Sequence, residues 1–475
     1  MPQPHAALKW SFLSELASKT VAPVVFVILA RLLSPEDFGV VIAATIVISF
    51  TQVFWEAGMG KAIIQYGGER DSAANAAFWV NLILGILVTV LLLLLSGPIA
   101  EHIFHDSRVT LVLRVMAIQV LLSASVSVQT ALLQKDLNFQ HLFWVRLTTV
   151  TIPGLASIPL ALYGMGYWAL VVGSLVGQLI QTVILWNTSP WRPRAHFDPI
   201  IARKLIGFGA WVAASGLLVW FYTWADSFIV GLYFGPFELG LYRTGNAFVM
   251  MIFGVLFSPV MPVLYSHLSR HAQDKLRVRD TMNQVIRILT FLSLPLAAIL
   301  FVSSDFIGPL VFGGQWNGIS LVIAAMALMH GVSWVVGANG EAYRAVGLPA
   351  WETRIMAITL AMYLVGYMVS VHYGFSTFIW TRFGLAVAAS SVHFWVMARI
   401  LKIKVTSVLA YIGIVSIICF APILVFSQLQ PTVFSESPTL RALCLSLIII
   451  SSLLLLERNR LLPQIYQIVR KAIRQ

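Results

Sequence analysis

The chain has 475 residues, of which 59% are hydrophobic and 11% charged, and its mean hydropathy is +0.86. About a quarter of the residues in a soluble domain are charged, so this composition excludes a soluble globular protein and indicates a polytopic membrane protein. The net charge of +12 is spread along the predicted membrane topology, and no nucleic-acid partner is expected. Cys419 and Cys444 lie in apolar stretches without metal or redox spacing, so no disulfide, metal or cofactor is expected.

Fourteen stretches are long and apolar enough to cross a bilayer, which takes about 20 residues. They predict an all-α polytopic membrane protein with about 14 transmembrane helices. In chain order the predicted spans are 10–30, 39–59, 76–97, 109–131, 145–163, 167–186, 208–233, 240–262, 284–303, 319–337, 353–371, 375–397, 405–427 and 440–456.

Lysine and arginine are distributed unevenly between the two sides of this topology. Of the 31 residues, 24 lie in the N-terminus, the even-numbered connections and the C-terminus, whereas the odd-numbered connections hold only Arg31, Arg108 and Arg441. The positive-inside rule therefore predicts that both termini are cytoplasmic. The sequence pattern of the tail at 461–473 is typical of either an amphipathic helix on the inner leaflet or a plain basic stop-transfer segment.

One motif occurs twice. Residues 28–39 (ILARLLSPEDFG) return 201 positions later as residues 229–240 (IVGLYFGPFELG), and each copy links two predicted spans. Each copy has the features of a helix start: a capping position at Ser34 or Gly235, then proline, then an acid such as Asp37 in the first turn. The agreement of motif, offset and topological position predicts a duplicated half.

The duplication divides the chain into three parts. Residues 1–190 and 191–400 are predicted to form two six-helix bundles in a parallel repeat, and residues 401–475 to form two extra transmembrane helices and the basic tail. Because the offset spans six helices, the halves enter the membrane in the same direction. Such halves are typical of transporters, with the substrate site between them.

Six segments carry a family resemblance: residues 7–14 (ALKWSFLS), 29–39 (LARLLSPEDFG), 62–65 (AIIQ), 131–139 (ALLQKDLNF), 225–231 (ADSFIVG) and 311–316 (VFGGQW). In this order they resemble the Wzx-like oligosaccharide flippases, the polysaccharide-transporter branch of the multidrug/oligosaccharidyl-lipid/polysaccharide (MOP, MATE-like) exporter superfamily. Lys61 departs from the family pattern, which has a small or apolar residue at that position.

The resemblance implies a flippase, not an enzyme, that moves undecaprenyl-diphosphate-linked oligosaccharide units across the bacterial plasma (inner) membrane by alternating access, for surface polysaccharide biosynthesis. The implied partners are the lipid-linked oligosaccharide, membrane lipids and other polysaccharide-assembly proteins. Two alternatives stay open: a multidrug or small-solute antiporter of the related branch, and a membrane-embedded glycan polymerase or ligase.

Charged residues inside the membrane are the main functional candidates, because each costs roughly 2.5–3.5 kcal/mol on insertion scales. Seven lie within or at the ends of predicted spans: Glu15, Lys19, Glu56, Arg114, Asp226, Arg243 and Arg382. In the superfamily that the chain resembles, helices 1, 2, 7 and 8 line a central cavity, and five of the seven charges are on these helices.

These positions predict a substrate-binding set and a coupling set. Lys19, Arg243, Asn246, Trp220 and Trp224 are predicted to bind the cargo, with Arg243 and Asn246 donating hydrogen bonds to phosphate oxygens. Glu15, Asp226 and Glu56 are predicted to balance charge or exchange an ion.

Structural alternatives remain for most of these residues. Glu15 and Lys19 are four residues apart and could neutralise each other. Arg243 could extend to the membrane surface, and aromatic residues suit membrane interfaces as well as sugars. Arg114 and Arg382 are better explained as scaffold salt bridges.

Overall fold

The computed structural model describes residues 21–56, 58–258, 260–428 and 438–457, and this part of the chain forms helices without a β-strand. The predicted all-α class is therefore confirmed. The helices, numbered in chain order, are α1 Val21–Leu32, α2 Pro35–Glu56, α3 Met59–Gln65, α4 Arg70–His102, α5 Arg108–Lys135, α6 Phe139–Leu162, α7 Tyr167–Thr188, α8 Pro199–Phe234, α9 Pro236–Phe257, α10 Val260–Arg270, α11 Lys275–Phe312, α12 Ile319–Val335, α13 Asn339–Ala345, α14 Pro349–Ser370, α15 Phe375–Leu401, α16 Val405–Gln428 and α17 Pro438–Glu457.

Thirteen helical stretches in the described part of the chain are long and apolar enough to cross a membrane. The predicted spans from 39–59 onward each coincide with one of them. The first predicted span, 10–30, is described only from residue 21, in α1, and the tail at 461–473 lies outside the described residues. The total of fourteen therefore stays a prediction.

Several helices extend beyond the predicted spans, because hydropathy detects only the apolar part of a helix. Thus α8 begins at Pro199 and α11 at Lys275, in polar sequence. Both starts are stabilised by an aspartate N-cap. Asp198 Oδ1 accepts a hydrogen bond from the backbone N–H of Ile200 at 2.8 Å. Asp274 Oδ1 accepts one from the backbone N–H of Arg277 at 3.0 Å.

The short helices α3, α10 and α13 were not predicted. They contain 7, 11 and 7 residues, well below the length of a membrane span. A search for apolar stretches of about 20 residues does not detect elements of this size.

The chain divides into two compact units, residues 1–244 and 245–475. The boundary falls inside α9, later than the predicted boundary at residue 190, because α8 packs against α2, α3 and α4 in the first unit. In the second unit α11 packs with α12, α16 and α17, so the two helices that follow the predicted duplication are integral to this unit. The duplication into six-helix halves stays a prediction.

The first copy of the repeated motif forms a capping box at the start of α2. Ser34 Oγ accepts a hydrogen bond from the N–H of Asp37 at 3.1 Å, and Asp37 Oδ2 accepts from the N–H and the hydroxyl of Ser34 at 2.9 and 2.8 Å. The second carboxylate oxygen of Asp37 accepts from the N–H of Tyr167, the first residue of α7, at 2.8 Å. The predicted helix start is confirmed for this copy, and Asp37 also holds the start of α7.

We expect Asp37→Ala to lower the free energy of unfolding by about 2–3 kcal/mol, because it removes charge-assisted bonds at two helix starts. The measurement is thermal unfolding of the purified protein in detergent. Glu36→Ala is the matched control, because the ion pair of Glu36 with Arg108 at 3.2 Å is exposed and is worth less than about 1 kcal/mol. Equal melting temperatures for the two variants would contradict the dual capping role.

The two copies of the motif pack directly against each other within the first unit. A β-carbon on Gly39 would lie 1.7 Å from the carbonyl oxygen of Pro236, and a β-carbon on Gly240 would lie 1.8 Å from that of Pro35. Both glycines are buried. The starts of α2 and α9 therefore meet backbone to backbone, a close approach that small residues permit between membrane helices.

Candidate functional site: a cavity lined by helices α2 and α8

The first unit contains a cavity of about 560 Å³. Its volume falls within the roughly 300–1,000 Å³ of small-ligand sites. It is lined by α2, α3 and α8, through Ser49, Gln52, Val53, Glu56, Gly58, Lys61, Val212, Ala213, Ser215, Gly216, Val219, Trp220, Thr223 and Trp224. Three predicted site residues, Glu56, Trp220 and Trp224, are therefore brought together here.

Small residues on α8 create the space. Ala213, Ser215 and Gly216 lie within about one turn of α8, and a β-carbon on Gly216 would still be 3.7 Å from Val53. At one end of the lining Gly58 has a φ of 65° and packs against Val212 of α8. The chain therefore turns between α2 and α3 at a point of close contact with α8. These small residues were not among the predicted site residues. The available signal in the sequence is that three of them lie within four positions of an apolar span.

Trp220 is fixed at the wall of the cavity. Its indole N–H donates to Ser49 Oγ at 3.0 Å, and its ring packs edge-on against Phe50 with centroids 4.8 Å apart. The side chain is only 8% exposed. Trp220 therefore joins α8 to α2 in addition to lining the cavity.

Arg243 lies beside the cavity, stacked on one of its lining residues. Its guanidinium carbon is 4.1 Å from the ring centroid of Trp224, and Nη1 donates a long hydrogen bond of 3.5 Å to the carbonyl oxygen of Thr223. Among the described residues no carboxylate forms an ion pair with Arg243. A stacked, unneutralised guanidinium keeps N–H donors available for an anion.

The cavity also carries two charges of opposite sign. Glu56 Oε2 accepts from the side-chain amide of Gln52 at 3.1 Å, and Lys61 lines the same cavity with an exposed side chain. Lys61 is the residue that departs from the family pattern in the sequence. Its position makes it a further cation of this cavity, which the predicted binding set did not include.

Asp226 is separate from this lining. It is 3% exposed, and its carboxylate accepts from the hydroxyl of Tyr242 at 2.8 Å and from the N–H and hydroxyl of Ser227 at 2.6 and 3.1 Å. The bond from Tyr242 ties α8 to the start of α9, and all three bonds favour a structural contribution. Its predicted coupling role stays a prediction.

Arg243 and Asn246 have different partners in the structure. Asn246 belongs to the second unit, is 8% exposed, and has its side-chain oxygen 3.0 Å from Nε2 of His330. The predicted phosphate contact by this pair stays a prediction; it would use the side-chain NH2 group of Asn246 as donor, whereas the contact with His330 uses its oxygen.

Arg114 and Arg382 each donate a hydrogen bond to a neutral hydroxyl group. Arg114 Nε donates to Ser96 Oγ at 2.8 Å, so the partner shown is a hydroxyl instead of the carboxylate that a scaffold salt bridge requires. Arg382 donates to the hydroxyl of Tyr367 and lies over the rings of Tyr363 and Tyr367 at 5.2 and 5.6 Å. Glu15 and Lys19 lie outside the described residues.

Comparison with known proteins identifies the family. The family described as "Polysaccharide biosynthesis protein" matches residues 28–321, more than half of the chain. The chain belongs to this family. The match confirms the resemblance that the six sequence segments carry, and it covers both copies of the repeated motif.

A curated relative and two solved structures extend this result. The succinoglycan biosynthesis transport protein ExoT of Rhizobium meliloti (strain 1021) is 26% identical over 325 residues, or 68% of this chain and 65% of the relative. The chain thus matches less than two thirds of that relative's length. The lipid II flippase MurJ in an inward closed conformation has a TM-score of 0.74 at 15% identity, covering 94% of this chain and 99% of MurJ.

An inward-facing multidrug resistance MATE family transporter of the MOP superfamily has a TM-score of 0.62 at 14% identity, covering 81% of this chain and 94% of that one. At these identities the likeness shows the fold alone. The protein therefore has a MurJ- and MATE-like fold and is a multi-pass membrane protein.

Proposed function

We propose that this protein is a flippase that carries undecaprenyl-diphosphate-linked oligosaccharide units across the bacterial plasma membrane, by alternating access, for surface polysaccharide biosynthesis. The observation that carries the proposal is Arg243, stacked on Trp224 beside the cavity without a carboxylate partner among the described residues. A diphosphate cannot leave water unless fixed cations and donors replace its hydration. Membership of a polysaccharide biosynthesis family and a transport protein as relative support the same cargo class.

Each residue has a role in transport that follows from its chemistry. Arg243, and Lys61 at the other end of the lining, supply positive charge for the diphosphate, and Trp224 presents an aromatic face for a sugar ring. Glu56 balances these cations so that the cargo is released, and Lys19 and Glu15 add a second pair on the sequence prediction. The charge bias supports cytoplasmic termini.

The alternatives make different demands on the site. An antiporter for cationic drugs needs a cavity dominated by acids, whereas this cavity and its edge carry Glu56 against Lys61 and Arg243. A polymerase or ligase changes the covalent structure of its glycan, and the matched relative is a transport protein.

The proposal is tested in proteoliposomes loaded with undecaprenyl-diphosphate-linked oligosaccharide extracted from a flippase-deficient bacterium. We expect the oligosaccharide to become accessible to an external glycosidase only when the protein is present, with the recovered unit unchanged in length. Ethidium efflux from the same vesicles is the control. Efflux of ethidium without flipping would favour the antiporter, and a lengthened glycan would favour the polymerase.

A further inference from the structure

A second cavity lies in the second unit, outside the site described above. Its volume is about 410 Å³, and α11, α12, α15, α16 and α17 all contribute to its lining. Its polar groups belong to Asp305, Arg441, Ser304, Ser320 and the indole of Trp380. Because α11 and α16 end near these residues and α12, α15 and α17 begin near them, the cavity lies at one end of the helices.

The charge bias predicts that this is the outer end of the helices, where an arginine is unusual. Arg441 is one of only three cations in the predicted outer connections. It also lies in the first turn of α17, where the positive end of the helix dipole disfavours a cation by about 0.3–1 kcal/mol. Both effects are relieved when an anion lies next to the guanidinium.

Among the described residues, a neighbouring protein group does not supply that anion. The outer cation Arg108, by contrast, is held by Asp106 at 2.7 Å and Glu36 at 3.2 Å. In the part of the chain that the structure describes, neither Arg441 nor Asp305 forms a hydrogen bond or an ion pair, although both line one cavity. The cavity therefore presents two opposite charges that do not neutralise each other.

We propose that this cavity binds the zwitterionic headgroup of an ethanolamine phospholipid from the outer leaflet, with the phosphate at Arg441 and the ammonium at Asp305. A simple anion would leave Asp305 unpaired, and a simple cation would leave Arg441 unpaired. The Ser320 hydroxyl is a donor for a phosphate oxygen, and the face of Trp380 attracts an ammonium group.

The surroundings favour a membrane lipid over a soluble zwitterion. Leu424 follows the lining residue Ile423 on α16, and Leu440 and Leu443 flank Arg441 on α17; these leucines are 65%, 46% and 62% exposed. Exposed leucines beside a charged cavity offer apolar surface for the acyl chains while the headgroup enters. This site adds a bound lipid to the proposed flippase and does not depend on what the protein transports.

The test is lipid binding by native mass spectrometry of the purified full chain after delipidation, with phosphatidylethanolamine, phosphatidylcholine and phosphatidylglycerol added separately. We expect phosphatidylethanolamine to bind at least about tenfold more tightly than the other two, because choline cannot donate a hydrogen bond to Asp305 and phosphatidylglycerol has no cation. Asp305→Asn and Arg441→Ala should each remove this preference, whereas Arg441→Lys should retain most of it. Arg354→Ala is the matched control, since Arg354 lies over Trp351 in the same unit and outside this cavity.

Equal binding of the three lipids to the wild-type chain would overturn the proposal, and this comparison needs no variant to fold. Preference for phosphatidylglycerol would show an anion site instead. Displacement of the lipid by an equal concentration of free phosphoethanolamine would overturn the assignment to a membrane lipid. An unchanged preference in a monodisperse Arg441→Ala preparation would also overturn it.

Discussion

Replacing Gly39 or Gly240 by alanine is expected to destabilise the protein so strongly that most of the yield of folded protein is lost. The added β-carbon would lie 1.7 or 1.8 Å from a backbone carbonyl oxygen, and a carbonyl within a helix cannot turn aside as a flexible side chain can. Overpacking typically costs about 1–3 kcal/mol, and the upper end or more is expected where two helices must separate. The intrinsic preference of a helix for alanine over glycine offsets only about 1 kcal/mol.

The measurement is the melting temperature and the monodisperse yield of each variant in detergent. Gly207→Ala is the matched control, because Gly207 lies in α8 with no atom within 4 Å of the added β-carbon. That variant should keep the wild-type melting temperature or raise it slightly. A Gly39→Ala protein that melts with the wild type would show that the two helix starts are not in close contact.

Arg243→Ala is expected to reduce export of the glycan by about 10- to 100-fold or more, because one charge-assisted contact with phosphate is worth about 1.5–3 kcal/mol. Arg243→Lys should recover only part of the activity, because an ammonium lacks the planar fork that stacks on Trp224. Lys19→Ala is expected to have the same phenotype as Arg243→Ala, on the sequence prediction alone. The measurement is complementation of a flippase-deficient strain.

A membrane immunoblot separates lost activity from lost protein, and Arg354→Ala serves as a cation control away from the cavity. Full export by an Arg243→Ala, Lys19→Ala double variant would show that these charges belong to the scaffold. The cargo is tested separately by the proteoliposome assay, which measures flipping without reference to either residue.

The sequence predicts the helices well because their determinants are local. A membrane span must satisfy its backbone internally over about 20 apolar residues, so hydropathy alone locates α2 and the long helices that follow, but not the short helices α3, α10 and α13. The capping box was equally predictable, because Ser34 and Asp37 are three residues apart and bond within one turn. The polar extensions of α8 and α11 were not predicted, because propensity and capping extend a helix beyond the apolar core.

The candidate site was predictable only in part. Charge inside a span identified Glu56 and Arg243, but the partner of a buried charge depends on tertiary packing. Thus the stack of Arg243 on Trp224 and the bond from Tyr242 to Asp226 were not predicted. The sequence showed Lys61 to be unusual, and only the structure shows that it lines the cavity with Glu56.

The contact between Gly39 and Pro236 is a pivot point about which α2 can tilt. Because backbone atoms alone make this contact, it does not depend on side-chain rotamers and can persist while the helix changes its tilt. Ser49 is ten residues further along α2, so its lever arm is roughly 15 Å at 1.5 Å per residue, and a tilt of about 10° would move it by about 2.6 Å. That displacement would break the 3.0 Å bond from Trp220 to Ser49 and widen the cavity beside it. Spin labels at positions 52 and 216 would register such a tilt as a change in distance, so a small rotation at one end of α2 becomes a measurable opening at the other.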